Sequence, residues 1–196
     1  MRVLYCMLDN LKNSKLINEI LNSIELIEFE DLFLTGGTLR NIVWNKLHSY
    51  NENSYLKDCD IIFYNPLDLT IGYEKKIEHI LFKIQPNIKW SVKNQARMHL
   101  RNGHPPYNDI VNALKAFPET CSAIAIGRSF EILAPFGFID LINFRVNPTN
   151  FCLENEPHIF INRTKEKGWN EKWPNLIINE KTLSTTSAIS NWSLSA

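Results

Sequence analysis

Apolar residues follow helical spacing at the start of the chain and shorter, strand-like runs further on. Between residues 10 and 29 they recur every three or four positions, which predicts a helical segment. Further helices are predicted at 38–50, 74–84, 109–117 and 157–167, and strands at 31–35, 58–64, 89–99, 121–126, 130–134 and 138–146. Helices and strands alternate at first, and strands cluster later. This order predicts an α/β (α+β) fold in which helices flank a mixed β-sheet.

The length of 196 residues suits one domain with an ordinary hydrophobic core. We expect an N-terminal helical segment at 1–30, a core at 31–180 and a flexible tail at 181–196, where Ser, Thr and Asn are frequent. The sequence shows no internal repeat.

Charge and cysteine usage exclude several classes of protein. The formal net charge is zero, which gives no global argument for nucleic acid or an anionic membrane as a partner. None of the four cysteines forms a C-x-x-C pair, which argues against a zinc site. The apolar run at residues 3–8 is shorter than the apolar region of a secretory signal peptide, and no apolar run reaches the roughly 18 residues of a membrane span. We therefore expect a cytoplasmic protein with reduced thiols and no membrane partner.

Two glycines stand where the first predicted strand meets the next helix. Gly36 and Gly37 allow positive φ angles and a close approach of a ligand to the backbone. The N-terminus of the following helix has unpaired N–H groups and a partial positive charge, which favour phosphate. This turn is therefore a candidate phosphate site.

Two carboxylates belong to the second predicted strand. Asp58 and Asp60 are two residues apart, so a strand points both side chains to the same face. Beside a phosphate-binding turn, this pair indicates a nucleoside triphosphate with a divalent metal ion between them. The alternative is a solvated strand start with no bound metal.

A third carboxylate, Asp140, interrupts the apolar strand predicted at 138–146. A carboxylate among apolar neighbours needs a partner, and a shared metal ion is one. Three carboxylates make a hard-oxygen site suited to Mg²⁺ or Mn²⁺. The alternative partner is an arginine, either Arg40 or Arg128.

Basic residues cluster between Glu78 and Asp109, where no acidic residue occurs. In a strand at 89–99, Lys93 and Arg97 share one face and are candidates for binding phosphate or acceptor. The alternative is a solvated strand face. Arg40 is a further candidate partner for phosphate or a carboxylate.

The segments 36–41, 58–61 and 139–141 together resemble the DNA polymerase beta-type nucleotidyltransferase superfamily. The G-G-x-x-R-N form is most similar to the start of CCA-adding tRNA nucleotidyltransferases, which have aspartate where Asn41 stands. Residues 30 to 175 also resemble a family of mostly uncharacterised bacterial nucleotidyltransferase-like proteins. The second resemblance depends on the segments 90–99, 105–107, 118–120 and 169–174.

The resemblance implies transfer of a nucleoside monophosphate from a nucleoside triphosphate to an acceptor hydroxyl, with release of pyrophosphate. It implies that Gly36 and Gly37 hold the triphosphate, that the Thr38 hydroxyl reaches a phosphate, and that Asp58 and Asp60 bind the metal ions. Asp140 would be the third ligand or activate the acceptor, which is a small molecule, a protein or an RNA.

Two other functions stay open at this point. The first is a non-catalytic protein that keeps the fold and binds a nucleotide or a partner. The second takes Asp58 and Asp60 as the metal motif of a nucleotide-sugar glycosyltransferase. It ranks lower, because such enzymes place a nucleotide-binding fold of about a hundred residues before the motif and only 57 residues precede it here.

Overall fold

The computed structural model of the protein describes residues 2–179, so the tail predicted at 181–196 lies outside the described residues. The helices are α1 (Arg2–Lys12), α2 (Lys15–Glu25), α3 (Gly36–Leu47), α4 (Ile71–Ile84), α5 (Gln95–Asn102), α6 (Ile110–Lys115), α7 (Ile139–Ile142), α8 (Asn150–Asn155), α9 (Pro157–Lys167) and α10 (Trp169–Lys172). The strands are β1 (Phe33–Thr35), β2 (Cys59–Phe63), β3 (Trp90–Asn94), β4 (Ala125–Ile126), β5 (Ile132–Leu133), β6 (Arg145–Val146) and β7 (Ile177–Ile178).

Five of the strands form one mixed sheet in the order β3-β2-β1-β4-β5. β1 pairs antiparallel with β2 and with β4, whereas β2 pairs parallel with β3. A smaller sheet joins β6 and β7 in parallel. The predicted α/β fold with a mixed sheet and flanking helices is confirmed.

Two of the predicted strands are partly helical. The strand predicted at 89–99 ends at Asn94, because the Asn94 side chain accepts a hydrogen bond from the backbone N–H of Ala96 and so caps α5. Arg97 consequently lies on a helix. The strand predicted at 138–146 is instead α7 followed by β6, and Phe144 between them has a φ of 58°. Asp140 therefore lies on a short helix and not on a strand.

The predicted N-terminal helical segment is two helices with a break between them. Ser14 ends the continuity, because its side chain accepts a hydrogen bond from the N–H of Ile17 and caps α2. The Ser14 hydroxyl also donates to Glu52 over 2.7 Å, which ties this break to the loop after α3. The helices α8 and α10 were not predicted by the apolar pattern.

Three tryptophans fix α3 at the centre of the main core. The rings of Trp44 and Trp173 pack edge to face with centroids 5.2 Å apart, and Trp169 lies 5.9 Å from Trp44. The buried indole N–H groups also find acceptors: Trp44 donates to the carbonyl of Leu141 and Trp173 donates to the side chain of Asn45. α3 is thereby attached to α7 and to the segment after α10.

The three cysteines Cys59, Cys121 and Cys152 are buried and unpaired. Burial raises the pKa of the Cys121 thiol to about 12 and that of Cys152 to about 11, and it also raises the pKa of Cys59. In a Cys6→Ser variant, we expect negligible reaction with a thiol reagent at pH 7.5 until the protein is unfolded. Reaction with an aromatic disulfide, followed by absorbance with and without denaturant, measures this protection. Full labelling of the native protein would contradict it.

Over residues 2–179, no helix combines the length and the apolar character needed to cross a membrane.

Candidate functional site

The glycine turn between β1 and α3 lies directly against the Asp60 side chain. Gly36 begins α3 with a φ of 62°, a conformation that side chains with a Cβ rarely adopt. A Cβ added at Gly36 would lie 3.6 Å from Asp60 Oδ2, and one added at Gly37 would lie 3.7 Å from the same atom. The turn therefore keeps the space next to this carboxylate open.

Thr38 connects the start of α3 to the strand that carries the carboxylates. Its hydroxyl donates to the carbonyl of Asp58 over 3.0 Å and accepts from the N–H of Asp60 over 3.2 Å. The hydroxyl thus fixes the position of β2, in addition to any contact with a ligand.

The two carboxylates of β2 differ in their surroundings. Asp58 lies just before the strand and forms an ion pair with Lys89, with 2.6 Å between Oδ1 and Nζ. The Asp60 carboxylate receives no hydrogen bond and no ion pair from any residue in the described part of the chain. Burial raises the pKa of Asp60, Asp58 raises it further, and Arg40, Lys167 and Arg163 oppose the rise. Asp60 is therefore a partly buried carboxylate without a donor of its own.

Two cavities meet at Asp60. The larger has a volume of about 550 Å³ and is bordered by Gly36, Gly37, Asp60 and Lys93, among others. The smaller has a volume of about 140 Å³, and its lining includes Gly37, Thr38, Asp58 and Asp60. Because the glycine turn and Asp60 border both cavities, they form the shared wall of the site.

The smaller cavity contains lysines that have no carboxylate partner among residues 2–179. These are Lys57, Lys167 and Lys172. Burial and the nearby charges of Arg163, Arg40 and Lys57 lower the pKa of Lys167. The cavity is also bordered by Asp58, Asp60 and Glu166, and Asp60 opposes the fall in the pKa of Lys167, so the lysines place positive charge beside the carboxylates.

Arg40 is buried at the base of the smaller cavity. Its guanidinium donates to the Ser122 hydroxyl over 2.7 Å and to Asn41 over 3.1 Å. It also lies over the rings of Trp44 and Trp169, with 5.0 Å and 4.5 Å between its central carbon and the ring centroids. Burial lowers the pKa of Arg40. The structure places Arg40 beneath the site and largely out of reach of solvent.

The buried Glu74 carboxylate pairs with Lys93 and Arg97, the two basic residues predicted on the strand at 89–99. Glu74, on α4, is fully buried and accepts two hydrogen bonds from Arg97, of 2.9 Å and 3.0 Å. Lys93 lies 3.7 Å from the same carboxylate. Lys93 borders the larger cavity, whereas Arg97 borders neither of the two cavities that meet at Asp60. The structure thus brings Lys93 but not Arg97 to the site.

Asp140 lies away from the two cavities. Its carboxylate accepts a hydrogen bond of 2.6 Å from the Thr120 hydroxyl. It forms no ion pair with Arg40 or with Arg128 in the described residues, and Arg128 instead donates to the carbonyls of Ile27 and Glu30. Within 2–179 no three His, Cys, Asp or Glu side chains are grouped so that they could hold a metal ion. The role of Asp140 as a third ligand stays a prediction.

The structure adds two residues that the sequence did not single out for the site. Arg163, on α9, borders the larger cavity and donates through Nε to Glu119 over 2.6 Å. Glu119 is fully buried. The one local signal for Arg163 is its place on the face of α9 that also carries the buried residues Phe160 and Thr164.

Comparison with known proteins identifies the family of the chain. A family model described as nucleotidyltransferase matches residues 22–178. No curated protein sequence matches the chain.

Solved structures show the same fold. One is an NMR structure described as revealing a CCA-adding enzyme head domain. It is 32% identical, with a TM-score of 0.78 over 88% of this chain and 94% of that one. A CCA-adding enzyme in complex with CTP is 15% identical, with a TM-score of 0.60 over 97% of this chain and 46% of the enzyme. The Thermotoga maritima CCA-adding enzyme in complex with tRNA is 14% identical, with a TM-score of 0.56 over 93% and 43%. The chain spans less than half of these two enzymes.

Proposed function

Because the chain belongs to the nucleotidyltransferase family, we propose that it transfers a nucleoside monophosphate from a nucleoside triphosphate to a hydroxyl acceptor and releases pyrophosphate. The single observation that carries the proposal is the position of Asp60. Its carboxylate has no donor among the described residues, lies against a glycine turn, and borders two cavities at once.

The residues at this site suit a divalent metal ion. Asp60 on β2 and Asp58 immediately before it both border the smaller cavity and would provide hard oxygen ligands, and the absence of a hydrogen-bond donor leaves Asp60 available to a cation. Asp58 and Asp60 would hold the ion, which we propose is Mg²⁺ or Mn²⁺. When bound, it would neutralise phosphate charge and favour departure of the leaving oxygen.

The protein's own groups would position the nucleotide. The first backbone N–H groups of α3 have no partner within the helix and would donate to phosphate oxygens bound beside Asp60. A volume of about 550 Å³ is in the range of small-ligand sites and would accept the nucleoside and the acceptor. The smaller cavity of about 140 Å³, with its three lysines, would accept the pyrophosphate end. This arrangement would place acceptor and leaving group on opposite sides of the α-phosphorus.

The structural neighbours guide the choice of substrates to test. Their descriptions name complexes with CTP, with ATP and with tRNA. We therefore propose nucleoside triphosphates as donors and RNA as one candidate acceptor class. The unpaired thiols of the three buried cysteines support our proposal of a reducing, cytoplasmic compartment.

A second candidate function is nucleotide binding without transfer. Two observations favour it: Asp58 is paired with Lys89, and Asp140 lies outside the cavities. This candidate predicts metal-dependent nucleotide binding with no pyrophosphate release in the presence of acceptors.

Calorimetric titration of each nucleoside triphosphate with Mg²⁺ or Mn²⁺ tests the proposal. We expect the wild-type chain to bind at least one nucleotide and the Asp58→Ala/Asp60→Ala variant to lose metal-dependent binding, because the metal ligands are gone. A matched control is Glu28→Ala/Glu154→Ala, which removes two exposed carboxylates that border neither cavity. Equal binding by the site variant and the control would contradict the proposal. Pyrophosphate release with RNA or small hydroxyl compounds then separates transfer from binding alone.

A further inference from the structure

Arg163 is available to a ligand in a way that Arg97 is not. Both arginines pair with a fully buried glutamate, but Arg97 uses Nε and Nη2 on Glu74 and is removed from the cavity. Arg163 donates to Glu119 through Nε alone. A guanidinium has five N–H donors, and no residue in the described part of the chain takes those on the two Nη atoms of Arg163. Arg163 borders the cavity that contains Asp60.

Glu119 is the ion-pair partner of Arg163. Its side chain is fully buried, its Oε1 accepts from Arg163 Nε over 2.6 Å, and its Oε2 has no hydrogen-bond partner. Burial opposes the positive charge of Arg163, but the Glu119 carboxylate raises the pKa of Arg163 overall. A buried carboxylate that accepts only from Nε restrains the guanidinium and leaves its two Nη groups without a protein acceptor in the described residues, on a side chain that borders the cavity.

The chemistry of these Nη groups matches phosphate. A guanidinium presents paired N–H donors in a plane, which suits two oxygens of one phosphate group. Asp60 borders the same cavity, so an anion that reaches Arg163 also lies near the proposed metal ligand. The nucleotide phosphates are the anions that belong between these two groups.

We infer that Arg163 is the arginine that binds the nucleotide phosphates, and that Glu119 is its positioning residue. This inference rests on the proposed function. It replaces Arg97 with a residue on α9, a helix that follows the main sheet in the chain. It also assigns the Glu119–Arg163 ion pair a role in binding in addition to stability.

The test is the affinity of the full chain for ATP and CTP with Mg²⁺, measured by calorimetry. We expect Arg163→Gln to weaken binding by roughly 10- to 100-fold, since hydrogen bonds to a charged group are lost. Arg163→Lys keeps the charge but loses the paired donors, so an intermediate loss is expected. Lys165→Gln is the matched control: it removes one positive charge from the same helix at an exposed position that borders neither cavity, and it should bind as the wild type does.

Two further measurements separate phosphate binding from a structural effect. Binding of adenosine or cytidine, which have no phosphate, should be unchanged by Arg163→Gln. Glu119→Gln should weaken triphosphate binding in the wild-type background and have no added effect in the Arg163→Gln background, because it acts through Arg163. Thermal unfolding checks that each variant folds. If Arg163→Gln does not fold, the loss of triphosphate affinity in Arg163→Lys is the result that decides.

The outcomes distinguish this inference from the proposed function. If the wild type binds no nucleoside triphosphate, the proposed function fails and this inference fails with it. If the wild type binds and Arg163→Gln binds equally well, or if nucleoside and triphosphate binding fall in parallel, the inference alone is overturned.

Discussion

Replacing Glu74 with alanine is expected to lower the free energy of unfolding by about 3–5 kcal/mol, because the change leaves the charge of Arg97 largely buried without its partner. Glu74 is fully buried, accepts two hydrogen bonds from Arg97 and one of 2.9 Å from the N–H of Asn94, and lies 3.7 Å from Lys93. Equilibrium unfolding in urea, with the midpoint and slope fitted together, measures the loss.

Glu78→Ala is the control on the same helix. Glu78 is only partly exposed, pairs with Lys75 over 2.6 Å and accepts a long hydrogen bond of 3.5 Å from the N–H of Val92, so we expect its removal to cost about 1 kcal/mol. Combining Glu74→Met with Arg97→Met should recover much of the stability, since neither charge then remains buried. If Glu74→Ala is as stable as Glu78→Ala, the buried Glu74–Arg97 pair does not stabilise the junction of β3 and α5 as we expect.

Asp60→Asn is expected to abolish metal-dependent nucleotide binding and, at the same time, to raise the stability of the free protein. The loss follows from removing a proposed metal ligand. The gain follows from burial, which raises the pKa of Asp60 and so disfavours its charged form in the folded state. Calorimetry with nucleotide and thermal unfolding without nucleotide measure the two effects on the same preparation.

The dependence of this stability gain on pH has a definite sign. A raised pKa means that the folded state holds the proton of Asp60 more tightly than the unfolded state does. Below the ordinary carboxyl pKa of about 3.9, Asp60 is protonated in both states, and Asp60→Asn gives no advantage. The advantage grows as the pH rises above the ordinary pKa and is complete once the pH exceeds the raised pKa of the folded state.

Asp31→Asn is the matched control, because Asp31 is exposed and its side chain has no partner among residues 2–179. Its effect on stability should stay within about 0.5 kcal/mol, as for most surface changes. A loss of stability in Asp60→Asn at neutral pH would contradict the account of Asp60 as a strained carboxylate kept for binding.

Local sequence patterns were sufficient to predict the turn and the strand at the centre of the candidate site. A strand, two glycines and a helix follow one another directly, so the turn at Gly36 could be predicted from neighbours alone. The spacing of Asp58 and Asp60 predicted both carboxylates on one face of a strand. In the structure Asp60 lies on β2 and Asp58 immediately precedes it, and both border the smaller cavity. The mixed sheet followed from the order of apolar segments, and the structure confirms it.

The outer parts of the site depend on contacts that no local pattern contains. The segment around Asp140 is short enough for its apolar residues to fit a strand or a helix, and the structure forms α7 there. Whether the Arg97 guanidinium is free to bind a ligand depends on Glu74, which is 23 positions away. Nothing in the sequence indicates that Glu74 is buried. Arg163 meets Glu119 across 44 positions.

The small parallel sheet of β6 and β7 has a consequence for how far the chain must extend. Arg145 pairs with Ile177 and Val146 with Ile178. This pairing joins the two ends of the segment that contains α8, α9 and α10. A truncation before Ile177 would remove no residue from either cavity. It would, however, remove the β6–β7 pairing that holds the end of the segment containing α9 and Arg163. The match to the family model ends at residue 178, which is the last residue of β7. The minimal functional unit should therefore run through Ile178.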